Sequence, residues 1–486
     1  MIAASTSTLT LLAVGLYFGI VFGVGVYAAR FTEYSPTDYY IADRGLGTVV
    51  LTFTLVATVF SAWTFFGVGA AARGSGAGVF TFVALTAPLY ALVFGLIGTR
   101  VNRLGRRLGV LTPLEYLEER YDSPLVALLY LLVAVVFLTA FVATQVIGGG
   151  IALNLLLGVP YGGAIVLIGL FMLIYIHIAG MRGVAWSDLL QGIVVLAALA
   201  GVFVLVLVTI GPETIVTRVN SEASAAVFSL PGPTGTWTAA YTLSFAAFFV
   251  LGVPAYPQVY QRYLGARSTT TLKRSAYLFP LVALPVYFLA AALGVWSLGI
   301  IGNPPNADYA ILLMIRQLTT PVVFGVALAA GVAALMSTAD SVLLSLSSMV
   351  SRDLYRRYVE PDADDQREVR VSQGALVTFL LLALGLAFIR PAGVFALGSF
   401  AVAGFAATAP ALLGGVLWPG ATQEGALVSM VLGAGSMLLF VTGILPAAYT
   451  FGLHYGFVGA VLSVVSFALV SGLTGPSRSE EYARAD

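Results

Sequence analysis

The sequence contains no cysteine and few charged residues, and both shortages narrow what the protein can be. Without cysteine the chain has no disulfides, no thiolate metal ligands and no cysteine nucleophile. Charged residues make up only 9% of the 486 residues, against about 25% in soluble domains, which is too few to cover a soluble globule. A net charge of +1 gives no information about an acidic or nucleic-acid partner. Instead, 59% of the residues are hydrophobic and the mean hydropathy is +0.97, which indicates a chain embedded in lipid.

The charged residues divide the chain into apolar runs that are long enough to cross a bilayer. A spanning helix needs about 20 apolar residues, and the runs predict about 13 such helices. Their predicted bounds are 7–29, 46–72, 77–101, 123–156, 162–180, 187–211, 237–263, 273–300, 317–350, 371–391, 395–418, 423–446 and 451–473. The sequence therefore predicts an all-α polytopic membrane protein with a single transmembrane domain over residues 1–486.

Positive charges predict the orientation of these helices. With the N-terminus outside, 19 of the 23 Lys and Arg residues fall in inside loops, and only Arg73, Arg218, Arg316 and Arg390 fall outside. Cytoplasmic loops carry the excess of positive charge in membrane proteins. We therefore expect a multi-pass protein of the cell membrane, with an outside N-terminus and a cytoplasmic C-terminus.

Two of the predicted helices carry signals of an interrupted backbone. The second has a Ser/Thr/Gly-rich middle after Ala57, and the seventh contains Gly252-Val-Pro-Ala-Tyr-Pro-Gln258, in which each proline removes a backbone donor. A plain proline kink is the alternative for the seventh helix. Because the two helices lie five apart, they fit inverted five-helix repeats around a site at the bilayer midplane. We predict repeats over 46–211 and 237–418, a peripheral helix at 7–29 and two peripheral helices within 423–473.

Hydroxyl groups on one face of the ninth predicted helix indicate a cation site. Ala334, Ser337 and Thr338 follow the i, i+3, i+4 spacing of a single helix face. Hydroxyl and carbonyl oxygens suit a hard cation. The carbonyls freed near Ala57 and Phe60, where the second helix is interrupted, carry the negative end of a half-helix dipole. Alternatively, these hydroxyls only hydrogen-bond within or between helices.

Asp340 is the one carboxylate that the sequence places well inside a predicted span. An acid within the membrane is costly and is a functional hypothesis by default. It could neutralise a second cation or carry a proton, which makes proton coupling an alternative to sodium coupling. Otherwise it completes a local hydrogen-bond network or lies nearer to the cytoplasmic interface.

At these residues the chain resembles the sodium/solute symporter family, which includes proline, pantothenate, sugar and monocarboxylate carriers. The resemblance covers nearly the whole length and rests on four segments that occur in the family's order and spacing. These segments are Asp38-Tyr-Tyr-Ile-Ala-Asp-Arg-Gly-Leu-Gly47, Gly180-Met-Arg-Gly-Val-Ala-Trp-Ser-Asp-Leu-Leu-Gln-Gly192, Pro257-Gln-Val-Tyr-Gln-Arg262 and Met336-Ser-Thr-Ala-Asp-Ser341.

The resemblance implies a LeuT-type inverted-repeat core and sodium (Na⁺) as the coupling ion. It also implies a sodium site made by the carbonyls of Ala57, Phe60 and Ala334 and the hydroxyls of Ser337 and Thr338. Asp188 matches an acid on the intracellular sodium path of the family, and its alternative is an interfacial acid at a helix start.

Candidate substrate residues lie in the two interrupted segments and are small, aromatic or uncharged. They are Ser61, Trp63, Phe66, Gly67, Tyr256 and Gln258. Since a carboxylate can bind at the N-terminus of a half-helix, we expect a short monocarboxylate or a similar organic acid. Val59 stands where proline carriers have an aspartate, which argues against a proline-type solute. Phe80–Gly95 lacks the polar residues of the sugar carriers, which argues against a sugar. A proline-like amino acid remains the alternative within the same fold.

Other classes of protein fit the sequence less well. The only histidines, His177 and His454, lie on distant predicted helices, and no paired carboxylates or nucleophile motif suggest an enzyme. A channel or a transporter-like sensor is the alternative of another class. We therefore expect a secondary active symporter that works by alternating access. Its expected partners are the lipid bilayer and a small-molecule substrate, with no nucleic acid and no obligate protein partner.

Overall fold

The structure is a computed structural model that describes residues 7–31 and 35–475, without the side chains of residues 29 and 175–180. His177 and Gly180 are therefore outside the described side chains, and the predicted cytoplasmic end of the chain, residues 476–486, is outside the described residues. Within the two described ranges every regular element is helical, apart from one isolated bridge between Leu46 and Ala266. The all-α fold class is confirmed.

The α-helices are numbered in chain order. They are α1 Thr8–Ala29, α2 Pro36–Ile41, α3 Thr48–Val59, α4 Gly69–Ser75, α5 Val79–Leu108, α6 Pro113–Tyr121, α7 Pro124–Leu157, α8 Tyr161–Ile210, α9 Pro212–Glu222, α10 Ala239–Gly252, α11 Pro257–Gly265, α12 Thr269–Trp296, α13 Ala310–Leu318, α14 Pro321–Ser348, α15 Asp365–Ile389, α16 Val394–Ala409, α17 Gly415–Leu417, α18 Gln423–Val441 and α19 Tyr455–Thr474. Wider π-helical turns extend three of them, at Trp63–Val68 before α4, Met349–Val359 after α14 and Pro410–Gly414 before α17.

Ten of the described helices are long and apolar enough to cross a bilayer, and twelve spans result when each of two bent helix pairs is counted once. Twelve is close to the predicted count, and the difference lies in the predicted spans 162–180 and 187–211. These form one continuous helix, α8. Of the stretches whose side chains are described, Met181–Ile210 counts as one span and Tyr161–Ile174 is apolar but shorter. The charge at Arg182 suggested a boundary there, but Arg182 pairs with Asp38 of α2 and does not end the helix.

Both predicted interruptions are present in the structure. The segments Thr48–Val59 and Trp63–Ser75 meet at 56°, and Ala239–Ala255 and Pro257–Gly265 meet at 54°. At the first break Phe60 leaves the helical conformation with ψ of 112°. At the second break Tyr256 is extended, because the residue before Pro257 is driven out of the helical region. The breaks open the predicted repeats 46–211 and 237–418, whose bounds remain a prediction.

Helix α14 lies at the centre of the bundle and carries the hydroxyl face that the sequence singled out. Of its most apolar stretch 83% is buried, against 28% for that of α1. Helices α12 and α4 can approach each other closely because residue 294 is a glycine. A Cβ at Gly294 of α12 would lie 2.2 Å from the carbonyl oxygen of Gly69 in α4. The helices of the bundle are therefore tightly packed around α14 and between α4 and α12.

Candidate cation and solute site

The break after α3 frees backbone oxygens in the interior of the protein. The amide of Phe60 donates to the carbonyl of Val56 at 2.7 Å, and this is the last helical hydrogen bond of α3. The amide of Ser61 faces the hydroxyl of Thr64, at 3.4 Å, and not the carbonyl of Ala57. The carbonyl oxygens of Ala57 and Phe60 are therefore available to groups on other helices.

Those two carbonyls meet the hydroxyl face of α14. Thr338 Oγ1 donates to the oxygens of Ala57 and Phe60, at 3.2 and 2.9 Å. Ser337 Oγ lies 3.2 Å from the oxygen of Ala57 and 3.1 Å from that of Ala334. The structure thus brings together all five oxygens named from the sequence. These separations among the oxygens run from 2.9 to 3.2 Å, and hydroxyl and carbonyl oxygens are the donors that a hard cation prefers.

A buried ion pair lies next to these oxygens. Arg262 of α11 contacts Asp188 of α8 at 3.3 Å, and neither side chain is exposed to solvent. The hydroxyl of Thr54 donates to the same carboxylate oxygen at 2.6 Å. Arg262 also donates to Ser341 Oγ at 2.5 Å, and that hydroxyl donates to the carbonyl of Ser337 at 2.8 Å. Asp188 is therefore connected to the hydroxyl face of α14 through one arginine, and it lies within the continuous helix α8.

Asp340 is fully buried on α14. Among the described residues neither of its carboxylate oxygens has a hydrogen-bond partner. Asp188 and Arg262 lie within electrostatic range of it, as does Tyr17 of α1, whose hydroxyl lies near the amide of Gln191. Two acids thus share one arginine, which gives the cluster a net negative charge when both acids are ionised.

The predicted substrate residues of the first break pack against three other helices. Ser61 Oγ accepts the amide proton of Trp63 at 3.0 Å. The Trp63 indole donates to the carbonyl of Phe395 in α16 at 2.8 Å and stacks on its ring. A Cβ on Gly67 would lie 3.0 Å from the amide of Phe395, while Phe66 packs near glycines of α7 and α14. These four residues form the wall of the break that faces α7, α14 and α16.

The predicted substrate residues of the second break carry unused polar atoms. Within the described part of the chain, the hydroxyl of Tyr256 and both polar atoms of the Gln258 side chain lack a hydrogen-bond partner, although both residues are buried. The Tyr256 ring packs between Phe141 of α7 and Phe405 of α16. Buried polar groups are normally paired, so these atoms are available to a ligand or to water.

The sequence-based interpretation missed Gln145 and assigned no role to Arg262. Gln145 of α7 accepts the amide proton of Ala62 at 2.9 Å, inside the first break. It is an isolated amide in an apolar helix, and that is the signal that would have marked it. The charge count places Arg262 with the inside-loop residues, whereas the structure buries it fully in α11.

Comparisons with known proteins identify the family and relatives of this chain. Residues 39–433 match the family model described as the sodium:solute symporter family. The sodium/pantothenate symporter of Haemophilus influenzae is 28% identical over 96% of this chain and 96% of its own length. The sodium/proline symporter of Salmonella typhimurium is 27% identical over 96% of this chain and 94% of its own.

A solved structure supports the fold. A sodium-coupled sialic acid symporter, in a substrate-bound outward-open state, superposes with a TM-score of 0.81 at 22% identity, over 97% of this chain and 99% of its own. The overall architecture is therefore that of the LeuT-type transporters, and the matching family and relatives are transporters.

Proposed function

This chain belongs to the sodium:solute symporter family, and from that premise we propose that it imports a carboxylate-bearing solute of the pantothenate or proline type together with sodium. The protein is a multi-pass, sodium-coupled symporter of a small organic solute. Pantothenate and proline each carry one carboxylate. The names of the relatives favour the proline-like alternative over the short monocarboxylate expected from the sequence. The monocarboxylate remains an untested prediction.

The observation that supports the sodium part of the proposal is that five oxygens lie close together at the first break. In this proposal the carbonyls of Ala57, Phe60 and Ala334 and the hydroxyls of Ser337 and Thr338 bind the coupling sodium ion. Oxygen ligands without a carboxylate suit a monovalent ion that must also leave. The ion joins α3 to α14, so its binding favours the conformation in which these helices are in contact.

Asp188 and Asp340 provide the negative charge near this ion. Because Arg262 offsets only one of the two acids, the cluster attracts a cation toward the five oxygens when both acids are ionised. We propose that Asp188 lies on the route by which sodium leaves, since it connects to Ser341 one turn beyond Ser337. Asp340 is the candidate for a second cation or a proton, as its sequence position suggested.

The solute is proposed to bind between the two breaks, in contact with Ser61, Trp63, Phe66, Gly67, Tyr256 and Gln258. The amide protons of Ala62 and Trp63 are already bonded to Gln145 and Ser61. A carboxylate at the N-terminus of this half-helix would have to displace one of those oxygens. The unpaired atoms of Tyr256 and Gln258 are available without such a displacement, so we assign them the larger part in recognising the solute.

Transport then follows from alternating access between the two sides of the membrane. Sodium entering from outside joins α3 to α14, the solute fills the space between the breaks, and the inner side opens. Each positive charge moved inward gains about 2.3 kcal/mol per 100 mV of membrane potential. With the predicted outside N-terminus, this energy drives import.

A substrate panel in proteoliposomes tests the proposal. Initial uptake of labelled pantothenate, proline, acetate and glucose is measured with an inward sodium gradient, and again with choline replacing sodium. The proposal expects sodium-dependent uptake of pantothenate or proline. Uptake that is equal without sodium, or sodium-dependent uptake of acetate alone, contradicts it.

A further inference from the structure

Helix α7 contacts both broken helices through one polar side chain at each break. Gln145 Oε1 accepts the amide proton of Ala62 in the first break, at 2.9 Å. Tyr130 Oη donates to the carbonyl of Ala255 in the second break, also at 2.9 Å. Both side chains are fully buried. One freed donor and one freed acceptor are thus satisfied by the same helix, as irregular backbone at membrane depth requires.

The orientation of the Gln145 amide is fixed by its own helix. Its Nε2 donates to the carbonyl of Phe141 at 2.9 Å and to Thr144 Oγ1 at 2.7 Å. These two acceptors hold the nitrogen, and the oxygen is left to face Ala62. Since an amide proton needs an acceptor, the assignment of oxygen and nitrogen follows from the network.

The backbone of α7 also comes very close to the same break. A Cβ on Gly148, three residues after Gln145, would lie 2.8 Å from the Cβ of Ala62 and 3.1 Å from the ring of Phe66. The contact between α7 and the break is therefore both polar and steric. Ala62 has little freedom to move while α7 is in place.

We infer that Gln145 is a positioning residue for the sodium ion, which it acts on through the first break without touching the ion. Ala62 lies two residues after Phe60, whose carbonyl oxygen contacts Thr338 at 2.9 Å. By holding the amide of Ala62, Gln145 sets the direction in which the chain leaves Phe60 and keeps that carbonyl aimed at α14. This inference rests on the proposed sodium site.

Loss of the hydrogen bond between Gln145 and Ala62 should weaken mainly the sodium-bound state. When α3 and α14 separate to release the ion, water reaches the break and can bond the amide of Ala62 in place of Gln145. In the closed, sodium-bound state water is excluded, so loss of the Gln145 oxygen leaves a buried amide proton without an acceptor. Such an orphaned group weakens the state that contains it.

The test compares two substitutions at Gln145 in the full-length protein. Gln145→Met keeps an unbranched side chain of similar size but removes the acceptor, whereas Gln145→Glu keeps an oxygen at the same place. The sodium concentration for half-maximal uptake is measured in proteoliposomes, together with the maximal rate. The methionine variant is expected to raise that concentration about 5- to 100-fold, and the glutamate variant is expected to restore most of the loss.

Tyr130→Phe is the matched control, because it removes one buried hydrogen bond between the same helix and the other break. It is expected to leave the half-maximal sodium concentration near the wild-type value. Equal shifts in the methionine and glutamate variants, no shift in the methionine variant, or an equal shift in Tyr130→Phe would each overturn the inference.

Two further measurements show whether a negative result concerns the assay, the proposed function or the role of Gln145. If the methionine variant transports too slowly to assay, the sodium-induced rise in thermal unfolding temperature of the detergent-purified protein gives the same comparison. This rise should shrink for methionine and persist for glutamate, and an undiminished rise for methionine counts against Gln145. If the wild-type protein itself shows no sodium dependence, the proposed function has failed. A sodium-dependent wild type with an unaltered methionine variant contradicts only the role of Gln145.

Discussion

Replacing Thr338 by valine removes one of the five proposed sodium ligands while keeping the shape of the side chain. The Thr338 hydroxyl contacts both carbonyls of the first break, at 3.2 Å for Ala57 and 2.9 Å for Phe60. A polar contact with a charged partner contributes about 1.5–3 kcal/mol, and about 1.4 kcal/mol is tenfold in an equilibrium constant. We expect Thr338→Val to raise the sodium concentration for half-maximal uptake about 10- to 150-fold.

The assay is initial solute uptake into proteoliposomes across a series of sodium concentrations. Thr338→Ser retains the hydroxyl and should behave nearly as wild type. Thr408→Val is the matched control, because Thr408 is fully buried in α16 and its hydroxyl bonds the Phe405 carbonyl of the same helix at 3.0 Å. It removes an equivalent group away from the five oxygens and should leave the sodium dependence unchanged.

The reasoning is refuted if Thr338→Val needs no more sodium than wild type. A lower maximal rate with an unchanged half-maximal concentration would place Thr338 in a conformational step and not in binding. If Thr408→Val shifts the curve as much as Thr338→Val, the effect belongs to buried hydroxyls in general and not to the proposed site.

Three other outcomes follow from the geometry. Asp188→Asn leaves Arg262 as a buried, unpaired charge and should lower stability by about 3–5 kcal/mol, and Asp188→Asn combined with Arg262→Gln should recover part of it in detergent unfolding experiments. Burial raises the pKa of Asp308, a loop residue outside the spans, although its contact with Arg390 opposes this. The folded state then holds the proton more tightly than the unfolded chain. The contribution of Asp308 to stability is therefore full below the ordinary pKa of about 3.9 and declines as pH rises through the raised value. Asp308→Asn should remove that decline from unfolding temperatures measured across acidic pH. Gly294→Ala, which forces a Cβ to 2.2 Å from the backbone of α4, should sharply reduce folded yield in size-exclusion chromatography, while Gly385→Ala, with open space around it, should not.

The features of the fold that sequence could predict are those encoded locally. Apolar runs predicted most of the spans, several of them to within a few residues at both ends, and the prolines around Tyr256 predicted the second break. The boundary that failed, inside α8, depended on reading Arg182 as a loop residue. Its charge is instead compensated by Asp38, 144 positions away in the sequence, and local composition does not contain such a partner.

The candidate cation site was also predictable in its residues but not in its surroundings. The spacing of Ala334, Ser337 and Thr338 places them on one face whatever the rest of the chain does. By contrast, the contact of Gln145 with Ala62 depends on how α7 crosses the first break. The pairing of Asp188 with Arg262 depends on α8 and α11 meeting. Both are long-range packing outcomes, which a single sequence does not determine.

The composition of the proposed site explains why the coupling ion is easier to infer than the solute. Three of its five oxygens are backbone carbonyls, which any residue supplies, so the sequence has to encode only the break after α3 and the two hydroxyls of α14. Relatives that are 27–28% identical and named for different solutes can share this arrangement without sharing side chains elsewhere. At the first half-helix the amide protons of Ala62 and Trp63 are already bonded within the protein. The proposed function therefore assigns recognition of the solute mainly to side chains such as Tyr256 and Gln258. Substitutions at these two positions should therefore change which solute is carried while leaving the sodium dependence of uptake in place.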